Sequence, residues 1–149
     1  MYKRILVPLD GSQRAERILA HVKQMARLQD TEIICLQVVN PYVPVMDPHA
    51  FLQQYSTEEM TQIVQQARSY LEGLQKKLAQ ESVSCQIQVE QGPVVETIIS
   101  AAQQHTVDLI AMASHGRGGL SRVFYGSVAA GILQRIDRPL LLIRARENE

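Results

Sequence analysis

The sequence has little cysteine, no excess of either charge and no long apolar run, and each shortage narrows what the chain can be. Its two cysteines, Cys35 and Cys85, fall in separate strand-like stretches and form no CxxC pair. Buried reduced thiols are therefore expected, and a disulfide or metal site is not. Lys plus Arg and Asp plus Glu balance at 15 each, so no global field draws the chain to nucleic acid or to an anionic membrane. No apolar run approaches the roughly 18 residues of a membrane span. The start, "MYKRILVPLDGS", reaches Pro8 and Asp10 too early for a signal peptide. A cytoplasmic protein is expected.

The chain has 149 residues, which fits one domain over 1–149 with a core of its own. Two kinds of segment alternate along it. Strand-like runs are "KRILVPL" (3–9), "TEIICLQVV" (31–39), "SCQIQVE" (84–90), "VDLIAMA" (107–113) and "RPLLLIRA" (138–145). Most are apolar nearly throughout, as in parallel strands covered on both faces. The third alternates apolar and polar residues and reads as a sheet edge. Between the strands, apolar stripes at helical spacing predict helices over 13–28, over 57–80 with Ser56 and Glu59 as a capping box, from Pro93 onward, and over 127–136. Segment 40–55, with three prolines, is expected to be irregular.

This alternation predicts an α/β fold: a five-stranded parallel sheet, order 3-2-1-4-5, with helices on both faces. Ligands of such sheets bind beyond the carboxyl ends of the strands where the order reverses. Here that point lies between "PLDGS" and "MASHGRGG". Pro8 cannot donate a ladder hydrogen bond, so a bulge or kink is expected there.

The stretch from Met112 to Val128, "MASHGRGGLSRVFYGSV", holds four of the eight glycines. Between Leu109 and Ile136 there is no Asp or Glu. Gly116, Gly118 and Gly119 taken alone read first as a plain surface loop and only second as a cradle. Gly126-Ser127 at a helix start adds free N–H groups and a favourable dipole, and the pair together favours an anion. His115 and Arg117 supply further donors, and Arg122 could add one but reads first as a solvated side chain. Asp10 fits either a helix cap shared with Ser12 or a contact to a ribose hydroxyl. Neither GxGxxG nor GxxxxGK[ST] is present, because Ser121 stands where the first would need glycine. "PLDGS" is not the SGGxDS loop of ATP-cleaving adenylating enzymes. His21, His49 and His105 have no ligand-like spacing and read as surface residues.

"ILVPLDGS", "DLIAMASHGRGGLSRVFYGSVAAGIL" and "RPLLLIR", in that order over essentially the whole chain, resemble the universal stress protein family. The resemblance implies a Rossmann-like sheet of the adenine nucleotide alpha hydrolase-like kind. The family's nucleotide-binding branch carries Gly-x2-Gly-x9-Gly-[Ser/Thr]. Gly116, Gly126 and Ser127 match it, and Ala113 stands in place of the first glycine. By resemblance, Pro8, Leu9 and Asp10 line the adenine and ribose end, and Val38 or Val39 flanks the base through its backbone. Met112 and Ala113 approach the ribose and α-phosphate. Gly116, Gly126, Ser127 and Val128 donate to the phosphates, with His115 and Arg117 at their border. The implied ligand is ATP, or AMP or ADP, with Mg2+ or Mn2+ bridging phosphates and no metal ligand from the protein alone.

The implied function is a cytoplasmic adenine-nucleotide-binding stress or signalling protein that acts as a nucleotide-responsive switch. No general base stands near a γ-phosphate, so at most very slow ATP hydrolysis is expected. The alternative is a nucleotide-independent dimeric stress or interaction protein of the same fold, toward which Ala113 points. The apolar last strand, Pro139–Arg144, is expected to pair in a homodimer or higher oligomer. The loop at 40–55 fits a lid or a second contact surface.

Overall fold

The β-branched runs become five strands in a computed structural model whose described residues are 1–43, 49, 51–114 and 126–145. They are β1 (Arg4–Leu9), β2 (Glu32–Val39), β3 (Cys85–Gln91), β4 (Leu109–Ser114) and β5 (Leu140–Arg144). All pair in parallel, in the order β3-β2-β1-β4-β5. The helices are α1 (Gln13–Glu16), α2 (Ile18–Leu28), α3 (Thr57–Gln80), α4 (Val94–Gln104) and α5 (Ser127–Arg135).

The period of two along each strand sorts the core into two layers. Ile5, Val7 and Leu9 of β1 share one face with Cys35 and Ala111, packed under Ile18, Val22 and Leu71 of α2 and α3. Leu6, Ile110 and Met112 share the other face, packed under Ile98 of α4 and Ala129 and Ile132 of α5. Helices thus cover both faces, as the apolar strands require.

The single helix expected over 13–28 is in fact two. Ser12 caps α1, its Oγ accepting from Ala15 N at 3.1 Å, and Asp10 Oδ1 accepts from Ser12 N at 2.9 Å. Arg17 N then donates to Arg14 O, three residues back instead of four. That tighter turn interrupts the α-helical ladder and lets α2 start on its own axis. Pro93 also departs from expectation, standing as the N-cap of α4 just outside its first turn.

Helix α3 follows the expected bounds, including the reciprocal Ser56–Glu59 capping box. The cap contributes about 1 kcal/mol. Burial of Leu71, Leu74 and Leu78 contributes about 1.5–3 kcal/mol for each side chain, so packing decides that this helix forms. The base of segment 40–55 is pinned, with Val43 N donating to Gln53 O at 2.7 Å and Tyr55 N to Pro41 O at 3.0 Å. Its residues 44–48 and 50 lie outside the described residues.

Cys35 and Cys85 are free and buried, on adjacent strands and on the same face of the sheet. The neighbouring Cys85 thiol and burial both push the Cys35 thiol above its ordinary range, which keeps it protonated and unreactive. No helix among the described residues is long and apolar enough to cross a membrane.

Helix α5 rests against α4 through Gly131. A Cβ at Gly131 would stand 2.8 Å from Val95 Cγ2 and 3.2 Å from Val95 Cγ1. Alanine gains about 1 kcal/mol of helix propensity over glycine, but overpacking against a stiff β-branched side chain costs about 1–3 kcal/mol. Gly131→Ala is therefore expected to lower stability in urea unfolding. Val95→Ala in the same chain should relieve the clash, giving a favourable coupling energy in the double-mutant cycle.

Candidate functional site

The site begins with what β1 can pair. Lys3 O accepts from Glu32 N on the β2 side, and Arg4 O accepts from Asp108 N on the β4 side. Backbone groups alternate along a strand, so the even-numbered residues of β1 address β4, and Pro8 is among them. Its missing N–H is a donor missing toward β4. The ladder from β1 to β2 runs unbroken from Arg4↔Glu32 to Leu9↔Gln37, whereas the ladder to β4 stops at Leu6↔Ile110. The expected bulge is absent from the regular β2 register. Instead, regular pairing of the two central strands ends at Leu6, and the point where the strand order reverses, where ligands of such sheets bind, lies between Pro8–Asp10 and Met112–Ser114.

The same alternation separates Val38 from Val39. Val39 O accepts from Gly92 N at 3.0 Å and is turned toward the β3 side. Val38 addresses β1, one residue past the last pair, Leu9↔Gln37. Of the two, Val38 presents its backbone to the crevice.

The far wall is β4 and the start of α5. Met112 and Ala113 are buried, each 6% exposed, and Ala113 pairs with Ile143 of β5. Gly126 is the N-cap of α5 with φ 82° and ψ 151°, a combination essentially reserved for glycine. Its carbonyl accepts from Ala130 N at 3.0 Å. Ser127 is exposed and is the first residue of the helix, so its hydroxyl does not cap it. No acidic residue lies in the first turn, and among the described residues no side chain accepts from its leading N–H groups. The helix thus presents leading N–H groups that have no intrahelical partner, together with the positive end of its dipole. At its other end Arg135 sits in the last turn and pairs with Glu96 of α4 at 2.7 Å.

The structure therefore brings together Pro8, Leu9, Asp10, Val38, Met112, Ala113, Gly126, Ser127 and Val128 at the carboxyl end of the sheet. His115, Gly116 and Arg117 lie outside the described residues, as does Arg122. Asp10 supports the α1 cap through Ser12 and stands at the crevice in the same conformation. His21 and His49 are exposed, His105 ends α4, and among the described residues no group of three His, Cys, Asp or Glu could hold a metal ion.

One polar residue here escapes a reading by motif. Ser114, last in β4, is 1% exposed, and its Oγ has no hydrogen-bond partner among the described residues. The available signal was its phase: it stands two residues beyond Met112 on a strand otherwise wholly apolar.

Comparison with known proteins agrees with the fold. The family model described as the universal stress protein family matches residues 1–144. The chain belongs to the universal stress protein family. Universal stress protein MJ0577 of Methanocaldococcus jannaschii is 26% identical over 159 residues, 99% of this chain and 98% of that one. Its solved structure superposes with a TM-score of 0.80 at 27% identity, covering 100% of this chain and 99% of that one. At the level of fold alone, the family member of Archaeoglobus fulgidus in complex with dAMP gives a TM-score of 0.68 at 18% identity, covering 95% and 98%. The Arabidopsis thaliana member with AMP bound gives 0.66 at 16% identity, covering 98% and 94%.

Because Gly126 occupies a conformation that L side chains rarely adopt, Gly126→Ala is expected to cost about 1–3 kcal/mol. Ser127→Ala, at an exposed position without a capping role, should stay within about 0.5 kcal/mol of the parent. Urea unfolding of the two variants side by side checks both values.

Proposed function

We propose that this universal stress protein binds an adenine nucleotide in the crevice above β1 and β4, with its phosphates on the N-terminus of α5. The carrying observation is the start of α5: leading N–H groups without a side-chain cap, behind a positive-φ glycine, at the carboxyl end of the sheet where Pro8 ends the pairing of β1 with β4. Pro8, Leu9, Asp10 and Val38 would border the base and ribose, with Val39 behind them. Met112 and Ala113 would meet the ribose and α-phosphate. Gly126, Ser127 and Val128 would donate to the phosphates, joined by His115, Gly116 and Arg117. Relatives of the same fold that hold dAMP and AMP support the adenine class.

ATP, ADP and AMP all suit the site, because base and ribose contacts do not depend on phosphate number. A bridging Mg2+ or Mn2+ would be held by phosphate oxygens, since such ions favour them over protein ligands of this kind. We read the chain as one domain of a cytoplasmic stress-response protein that works as a nucleotide-responsive switch. The Ala113 methyl, standing where the family motif has glycine, favours a second reading, a nucleotide-independent interaction protein. The same measurement separates the two.

The decisive variant is Ser127→Asp. An acid in the first turn is favourable for the helix itself, so the fold should survive while an anionic ligand is repelled. Calorimetry with ATP and AMP should show binding to the parent protein and at least a hundredfold loss in Ser127→Asp, with an unchanged melting temperature. No binding to the parent at millimolar nucleotide, together with no nucleotide released on denaturation, would leave the second reading.

We also propose a homodimer through β5, whose Leu140–Ile143 are only half-buried and which pairs in the sheet with β4 alone. Pro139 O meets Ile110 N on the β4 side, so Leu142, three residues on, directs its N–H to the open edge. Leu142→Pro removes that outward donor and spares those facing β4. Sedimentation at micromolar concentration should give a dimer for the parent and a monomer for the variant.

A further inference from the structure

We propose that the groove between the first half of α3 and the base of segment 40–55 binds a monocarboxylate that carries an apolar tail. The carboxylate meets Arg68, and the tail lies along Met60 and Val64. The site stands apart from the nucleotide crevice, since none of the residues assigned to the nucleotide lines the groove.

The groove exists because α3 outruns the core. Its 24 residues extend about 36 Å, whereas the seven residues of β3 extend about 23 Å. Buried residues of the helix begin only at Ala67. Val64 and Met60 continue the same apolar stripe toward the helix start. Both are half-buried, and neither belongs to a core layer. The helix thus keeps apolar surface that the fold itself does not use.

The opposite wall is Pro41, Gln54 and Tyr55, and it is fixed. Tyr42 bridges to Gln54, Val43 N donates to Gln53 O, and Tyr55 N donates to Pro41 O. The space between the walls is about 560 Å³, inside the range of about 300–1,000 Å³ for small-molecule sites. Ten residues line it, against about 20–30 on each side of a stable protein interface. A small molecule is the better fit.

The lining identifies its chemistry. Arg68 is the only charged side chain there. Among the described residues it has neither an ion pair nor a hydrogen bond. Met60, Val64 and Arg68 follow one another at intervals of four, so the guanidinium stands at the end of an apolar row. A planar guanidinium matches a carboxylate with two parallel hydrogen bonds. One positive charge balances one negative charge, whereas a dianionic phosphate would keep a charge without a counterpart. The flexible Met60 side chain adapts to the shape of the tail.

The test is an amide NMR titration of the full chain with hexanoate, its uncharged amide hexanamide, and acetate. Hexanoate at millimolar concentration should shift amides between Thr57 and Arg68 together with Gln54, Tyr55 and Gln91. It should bind more tightly than hexanamide or acetate. Arg68→Gln should weaken hexanoate about fivefold, the upper range for an exposed ion pair, and leave hexanamide unchanged. Added salt should weaken hexanoate and spare hexanamide. Val64→Thr, close in shape but more polar, should weaken both hexanoate and hexanamide; it tests the tail contact independently of Arg68. Equal affinity of the parent for hexanoate and hexanamide overturns the inference, as does parent-like hexanoate binding by Arg68→Gln. Shifts confined to Gly126–Val128 would put the carboxylate on α5 and also overturn it. No shift at millimolar hexanoate overturns it and leaves the surface to a macromolecular partner.

Discussion

Pro8 has no proton to give toward β4, and the shape of the carboxyl end of the sheet follows from that. The β1 strand stays in register with β2 to its last residue, while its pairing with β4 ends at Leu6↔Ile110. A central strand that loses a ladder bond on one side only is not destroyed, because the other ladder and two packed faces still hold it. It opens on the β4 side. The point where the strand order reverses, already the weakest seam of such a sheet, thereby becomes a cleft with walls set by backbone geometry.

Around that cleft the two faces contribute differently. The α1 side supplies a rigid rim: Asp10 fixes Ser12, and Ser12 fixes the first turn of α1. The α5 side supplies donors, because its first turn is left without acidic residues and its N-cap is glycine. An anion would meet fixed groups on one side and unsatisfied ones on the other. The balance of charge over the whole chain is compatible with this, because the anion selectivity proposed here would reside in one helix end and not in net charge.

Most of the architecture is legible in the sequence for a simple reason. Parallel strands buried on both faces leave near-continuous apolar runs, and their alternation with amphipathic stripes constrains strand order. The limits of α3 are legible because a capping box announces its start. The break at Arg17 is not, since the stripe of Ile18, Leu19 and Val22 is the same for one helix or two, and only a backbone bond to Arg14 O distinguishes them. Pro8 announces an irregularity without its kind, because which neighbour loses the bond depends on register. At the site, glycine spacing marks Gly126 and Ser127. It is silent about the buried hydroxyl of Ser114, which has no partner among the described residues, a property of packing that no spacing encodes.

The contact between Gly131 and Val95 has a mechanical consequence. Helix α5 has nine residues and is therefore only about 14 Å long. It is held to α4 at its middle by that contact, its last turn carries only the exposed Arg135–Glu96 pair, and it leads into the β5 edge within a few residues. A short, stiff rod held at one point behaves as a lever with a fixed fulcrum. Tilting its cradle end in response to what is bound there would displace the opposite end in the reverse sense, at the root of the sheet's free margin. A nucleotide seated as proposed would therefore be linked to the outer edge of the sheet through a single rigid element.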